Sequence, residues 1–281
     1  MSVLTLARLG DRLGIAAEGV DLNRPIDGAV RDALRRALLD GLVLCIRGQH
    51  LAPEAYLAAM RIFGTPLPQL RLASRHPEVA EIMILSSEDR DDDGDGKRLV
   101  VGAHWHSDDS YKAVPCSLTA LYGVAVPPSG GDTQFTTMYA AYDDLAEAMK
   151  RRIAGLRVLH TYDSGRKGTR IARLRPEEAE AVPPVTHPLV RTHPETGRRA
   201  LYMNPNRMEA VLGLERAASD ALLDALTQHA IQEKYQYRHR WRPGDVLIWD
   251  NRCTMHKANA DYPEGSRRLM HRIIIEGTAP A

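Results

Sequence analysis

Much that would announce a function is missing from this sequence. Its 281 residues include three cysteines. Cys45, Cys116 and Cys253 are far apart, with no CxxC. That usage excludes a disulfide framework, argues against a structural zinc site and fits a reducing compartment. Neither sign of charge is in excess, since Lys+Arg 37 against Asp+Glu 36 leaves +1. No global basic field is therefore present to attract nucleic acid. No apolar run approaches the ~18 residues of a membrane span. The opening stretch MSVLTLARLGDRLG is broken by Arg8 and Arg12, unlike a signal peptide. We expect a cytoplasmic protein with no membrane and no nucleic-acid partner. Repeats and linkers are lacking too, so the expectation is one domain over residues 1–281.

What is present is an ordinary globular composition, 44% hydrophobic and 26% charged, which rules out global disorder. Apolar spacing predicts a helix over 28–40 with Gly41 ending it, a second from Pro53 closed by Gly64, a third over 139–152 and a long one over 215–233. Strands are expected around the Gly10-Asp11 turn and at LVLCI (42–46), EIMILS (81–86), SLTALYGVAV (117–126) and ALYMN (200–204). QYRHRW, DVLIWD and LMHRIIIEG close the series. Turns rather than regular crossover helices join most of them. The fold class is thus mainly β with flanking helices, an antiparallel sandwich or jelly roll. Residues 87–102 and 163–184 read as loops long enough to be lids. Asp91-Asp92-Asp93 is not an EF-hand, because no Glu follows at the required position and no helices flank it.

Eleven histidines are the unusual feature. Within HWHSDDS, His106 and Asp108 are two apart, and on an extended chain such residues point to the same side. His256 follows the strand DVLIWDNR. Two histidines and a carboxylate on one face of a metal leave the opposite positions open, which suits Fe(II) enzymes that must hold a chelating organic acid and O2. His104 is a rival on the same side as His106, and the two with a carboxylate would also make a zinc site. GGDT (130–133) follows the first pair by one strand and RRLMHR (267–272) follows His256 by a short loop. An arginine fork matches a distal carboxylate, and a threonine hydroxyl adds a neutral donor.

Taken together, WHSDDSY (105–111), PPSGGDTQF (127–135), AAYDDL (140–145), PLVRTHPETGRRALYMN (188–204), GDVLIWDNRCTMHKANADY (244–262) and RRLMHR (267–272) resemble the taurine / 2,4-dichlorophenoxyacetate dioxygenase family. The motifs stand in the family's order along nearly the whole chain. The resemblance implies a double-stranded β-helix (jelly roll). It implies Fe(II) on His106, Asp108 and His256, with O2 and 2-oxoglutarate as cosubstrates. Thr133 and Arg268 would hold 2-oxoglutarate, and Arg272 would meet the acidic group of a small organic acid. Arg268 and Arg272 would share one strand face, about 13 Å apart. Gly102 stands near the place of an asparagine that contacts substrate in the taurine enzymes, and PLPQLRLASRHP (66–77) shows no clear counterpart of their histidine. With Gly102, His104 is read as pocket wall and Arg166 as a possible further cation.

A carboxylate at 108 favours hydroxylation over halogenation. Hydroxylation next to a heteroatom would cleave a C–O, C–N or C–S bond, with succinate and CO2 as coproducts. The family implies a dimer or tetramer. The competing reading is a cupin-like non-redox metal-binding protein or a zinc hydrolase. Trp249 is expected in the core, Asn251 and Arg252 bracing a strand end, and Cys253 buried as a small apolar residue.

Overall fold

Two short apolar runs set the architecture. In Val43–Ile46 and Val246–Asp250 the side chains alternate between two separate cores. Val43, Cys45, Leu247 and Trp249 enter one, and Leu44, Ile46, Val246 and Ile248 enter the other. A strand is apolar at every position when both faces of its sheet are covered. The structure, a computed structural model, describes residues 3–90, 101–166 and 174–281. It is mainly β, with six α-helices among these residues.

The two runs are central in an eight-stranded sheet. Its order is Thr5–Arg8, Ile15–Glu18, Val43–Ile46, Val246–Asp250, Leu118–Ala125, Leu269–Ile275 and Pro66–Leu67, with Met83–Ser86 also pairing to Leu269–Ile275. The pairings in this sheet are antiparallel except that of Ile15–Glu18 with Val43–Ile46. The outer face is covered by helices Gly28–Gly41 and Pro53–Met60, which contribute Leu34, Leu38, Tyr56 and Met60 to the second core. Over the inner face lies a three-stranded sheet of Gln236–His239, Thr133–Thr137 and Thr254–Ala258. Phe135 of this small sheet meets Trp249 of the large one edge to face, ring centroids 5.4 Å apart. The two sheets form a jelly-roll sandwich.

Local differences from the sequence reading have physical causes. Gly41 does not end its helix; it remains helical, and Leu42 takes the left-handed conformation (φ 60°) with its amide on the Leu38 carbonyl. The glycine is required by packing, because a Cβ there would lie 2.7 Å from Cγ1 of Ile15. The single helix expected over 139–152 is two, Met138–Asp143 and Glu147–Ile153. The break at Asp144–Ala146 lets Leu145 turn into the core. The loop expected over 163–184 contains the helix Pro176–Glu180. Residues 91–100 and 167–173, parts of both expected lids, and with them the Asp91–Asp93 run, lie outside the described residues.

Candidate metal centre and its pocket

His106 and His256, distant in sequence, are direct cross-strand partners. The amide of His106 donates to the His256 carbonyl (3.0 Å) and the amide of His256 to the His106 carbonyl (2.8 Å). This doubly bonded antiparallel pair fixes the rings side by side, with centroids 4.1 Å apart. Asp108 arrives two residues after His106. The backbone amide of Asp108 donates to Oδ1 of Asn251 (3.2 Å), and Thr119 Oγ1 donates to Asp108 Oδ2 (2.6 Å). Asn251 Nδ2 donates in turn to Thr119 Oγ1 (2.8 Å), and Trp249 Nε1 donates to Asn251 Oδ1 (3.1 Å). The carboxylate is thereby held in one orientation by two strands of the large sheet and the turn after them.

The three side chains converge without bonding to one another. His106 Nε2 stands 3.7 Å from Asp108 Oδ1, and His256 Nε2 stands 3.7 Å from Asp108 Oδ2. That is too long for a hydrogen bond. It falls in the roughly 3–4 Å range separating donors that share an ion at about 2.1 Å each. His106 Nδ1 is 2.7 Å from the His104 carbonyl, which turns Nε2 toward the centre. Nδ1 of His256 is buried with no partner among the described residues. A buried imidazole whose ring makes no internal hydrogen bond is unusual. Burial pushes the pKa of His106 down; burial and the neighbouring His106 push that of His256 well down. Burial alone would raise Asp108, but Arg272 overcomes it and, with the Thr119 hydroxyl, holds the carboxyl below the usual range. Two neutral imidazoles and a carboxylate are the donor set a divalent cation binds. Donor chemistry and spacing therefore both fit the metal implied by the sequence.

The trio opens on a cavity of about 200 Å³, able to take a small molecule. Thr133, Arg268, Arg272, Gly102 and His104 line the same cavity. Thr133 begins a strand of the small sheet, and its Oγ1 accepts from Trp241 Nε1 (3.0 Å), so its own proton can be donated to a ligand. Arg268 is buried near Gly131, whose left-handed backbone (φ 71°) has space for no side chain against Pro127. Arg268 and Arg272 reach one cavity even though the ladder shifts register between Leu269 and Met270. Gly102 (φ 80°) runs close to His106, and a Cβ there would lie 3.2 Å from its Cε1.

Two residues stand differently from the sequence reading, Arg272 and Arg166, while His104 is in the pocket wall as read. Arg272 is already engaged: its Nη2 is 2.9 Å from Asp108 Oδ1, and its Nη1 donates to Gln69 Oε1 (3.0 Å). His104 is no rival ligand; its ring is exposed at the rim and its carbonyl serves His106. Arg166 does not line the cavity. Its buried guanidinium pairs with Asp224 (2.7 Å) on helix Arg216–Ala230, and its Nε donates to the Met208 carbonyl. The carboxylates on that helix face drew it away from the cavity.

Other lining residues carried little sequence signal. Arg71, Lys112 and Arg207 add positive charge, and Tyr111 and Tyr162 add rings. Lys112 is paired with Asp109 (2.7 Å). Tyr111 lies in the quoted motif WHSDDSY, three residues beyond Asp108, and could have been found there. Arg207, in NPNRME, had no motif to mark it.

The chain matches the model described as "Taurine catabolism dioxygenase TauD, TfdA family" over residues 5–274. It is 34% identical over 265 residues to the alpha-ketoglutarate-dependent 2,4-dichlorophenoxyacetate dioxygenase of Cupriavidus pinatubonensis, covering 91% of each chain. It is also 34% identical to the pentalenolactone F synthase of Streptomyces arenae, over 97% of this chain and 95% of that one. The crystal structure of a taurine dioxygenase from Burkholderia xenovorans superposes with a TM-score of 0.84 at 30% identity, covering 99% of this chain and 91% of that one.

Proposed function

Because the chain belongs to the taurine catabolism dioxygenase TauD, TfdA family, it is a 2-oxoglutarate-dependent dioxygenase, and we propose that it works through Fe(II) held by His106, Asp108 and His256. It acts on a small organic substrate, which we take to be an acid, hydroxylating it with release of succinate and CO2. Where the hydroxylated carbon bears a heteroatom, the product breaks down with cleavage of that bond. The observation that carries the reading is the unbonded 3.7 Å spacing of two neutral imidazoles about one carboxylate, facing a cavity.

The metal, when bound, supplies the oxidising chemistry with O2; the chain supplies position, charge and exclusion of water. Thr133 and Arg268 take the distal carboxylate of 2-oxoglutarate, a hydroxyl donor beside a guanidinium fork. Arg272 balances the charge of Asp108 and keeps it ionised, as their contact of 2.9 Å supports. Thr119 and Asn251 hold the carboxylate in place. Gly102 leaves room beside His106.

The test is spectroscopic. Adding Fe(II) and 2-oxoglutarate without oxygen should give the weak visible charge-transfer band of the chelate, and admitting O2 with a substrate should release succinate. Stoichiometric zinc with no band would instead favour a zinc hydrolase or a non-redox cupin-like protein. The same reading has the enzyme working in the cytoplasm as a dimer or tetramer, which gel filtration with light scattering checks.

A further inference from the structure

The side of the cavity formed by Tyr111, Tyr162 and Arg207 is unlike the metal side. Tyr111 and Tyr162 meet edge to face, centroids 4.9 Å apart. The guanidinium of Arg207 lies 4.1 Å above the Tyr162 ring and 5.3 Å from that of Tyr111. One of its nitrogens, Nη1, donates to the Tyr162 carbonyl. The guanidinium is thus held over the Tyr162 ring and by the Tyr162 carbonyl, with the Tyr111 ring, set nearly perpendicular, to one side. No carboxylate among the described residues forms an ion pair with it. The group is only half-buried, lines the cavity, and lies near enough to His106 for its charge to act on that imidazole.

A guanidinium lying over an aromatic ring is restrained there and keeps in-plane N–H groups for a planar acceptor. Its remaining edge fits a carboxylate by two parallel hydrogen bonds. Arg272, by contrast, has Asp108 on Nη2 and Gln69 on Nη1. A ligand carboxylate on Arg272 would have to break a buried ion pair beside the metal centre. The lining of the same cavity includes Leu70, Leu85 and Val101, apolar surface for the body of a ligand.

We propose that Arg207, framed by Tyr111 and Tyr162, is the residue that anchors the carboxylate of the prime substrate, a small organic acid with an apolar body, while Arg272 remains with Asp108. The proposal rests on the dioxygenase reading and makes Arg207 a specificity-determining residue separate from the 2-oxoglutarate site at Thr133 and Arg268.

It is tested by calorimetric binding of an aryloxyacetic acid and of the corresponding uncharged aryloxyethanol to the metal-loaded, 2-oxoglutarate-bound enzyme without oxygen. Wild type should bind the acid tighter than the alcohol by about tenfold to a hundredfold, the range of a charge-assisted hydrogen bond. Arg207→Gln should lose that preference, Arg207→Lys should recover part of it, and the affinity for 2-oxoglutarate should not change in either. Unchanged melting temperatures would show that the variants fold. Preference for the acid surviving in Arg207→Gln but lost in Arg272→Gln would overturn the proposal, as would equal binding of acid and alcohol by wild type. Weakened 2-oxoglutarate binding in Arg207→Gln would overturn it too, by moving Arg207 to the cosubstrate. Failure of the dioxygenase reading is seen separately, as absence of the anaerobic chelate band in wild type.

Discussion

Two clusters in this molecule, one partly and one fully buried, contain nearly the same ligand types, His106–Asp108–His256 and His193–Asp250–Cys253. In the second, His193 Nε2 is 3.0 Å from Asp250 Oδ2, a direct hydrogen bond, and His193 Nδ1 accepts from the amides of Glu195 and Thr196. Arg252 closes the remaining positions on Asp250, with Nε 2.8 Å from Oδ1 and Nη2 2.6 Å from Oδ2. Burial pushes the Cys253 thiol up, which disfavours the thiolate that a metal would need. None of the three lines the cavity. The Cys45–His239–Asp245 group is closed in the same way, by a 3.2 Å bond from His239 to Asp245 and by Arg47. Residue type and proximity are therefore poor guides to a metal centre. What separates the first cluster is donor atoms held apart and facing open space, two imidazoles pushed toward the neutral form beside one carboxylate.

That contrast can be broken most severely at Asp108. Asp108→Ala should abolish metal retention and bring succinate release to the no-enzyme level, read by metal analysis and product assay. Asp250→Ala should do the reverse. It strips the partly buried Arg252 of one partner and costs about 3 kcal/mol of stability, in the range for breaking a buried pair. The metal content per folded molecule should be unchanged; loss of metal there would mean that the closed cluster also binds an ion. Between these lies Thr119→Val, which removes the hydroxyl from Asp108 but preserves shape. Metal affinity should fall by about 10–100-fold, and Thr119→Ser should restore most of it; equal affinities would make Thr119 a packing residue only.

Acidity sharpens the comparison further. Protons compete with metal for imidazole. Because His106 and His256 are both held below their ordinary pKa, cobalt affinity should stay level as pH falls from 8 to about 6.5, the free-imidazole value. A midpoint near 6.5 would show ordinary, solvated histidines. Linkage carries the same sign: the unfolded chain takes up these protons first, so apo-protein stability contributed by the neutral rings is present above about 6.5 and declines below it. The smallest effect is expected at the closed clusters. Buried, protonated Cys45 and Cys253 should take no alkylating label in the native state, as mass spectrometry would show.

The outline of the fold was legible because buried strands are apolar throughout and the turns between them carry glycine and proline. The convergence of His106, Asp108 and His256 was legible because residues two apart on extended chain point to one side, and the later His256 stood in a recognisable stretch. Gly41 was misread because its need is for close approach to Ile15, which no local spacing reveals. Arg166 was misread because its partners, Asp220 and Asp224, lie more than 50 residues away in a helix that sequence cannot orient. Arg207 was missed for a related reason: its meaning comes from two tyrosines contributed by separate loops. The prior engagement of Arg272 with Asp108 was equally invisible, since nothing in a linear pattern shows an ion pair across a sheet.

The paired backbone bonds between His106 and His256 have a mechanical consequence. They sit where the chain, having left the first histidine, returns after about 150 residues, a closure whose entropy is costly to restore once lost. An ion gripped by both rings is a clasp on that seam. Occupancy should then register as resistance to thermal unfolding that scales with free metal concentration and vanishes with chelator, tying the lifetime of the folded chain to the supply of the ion.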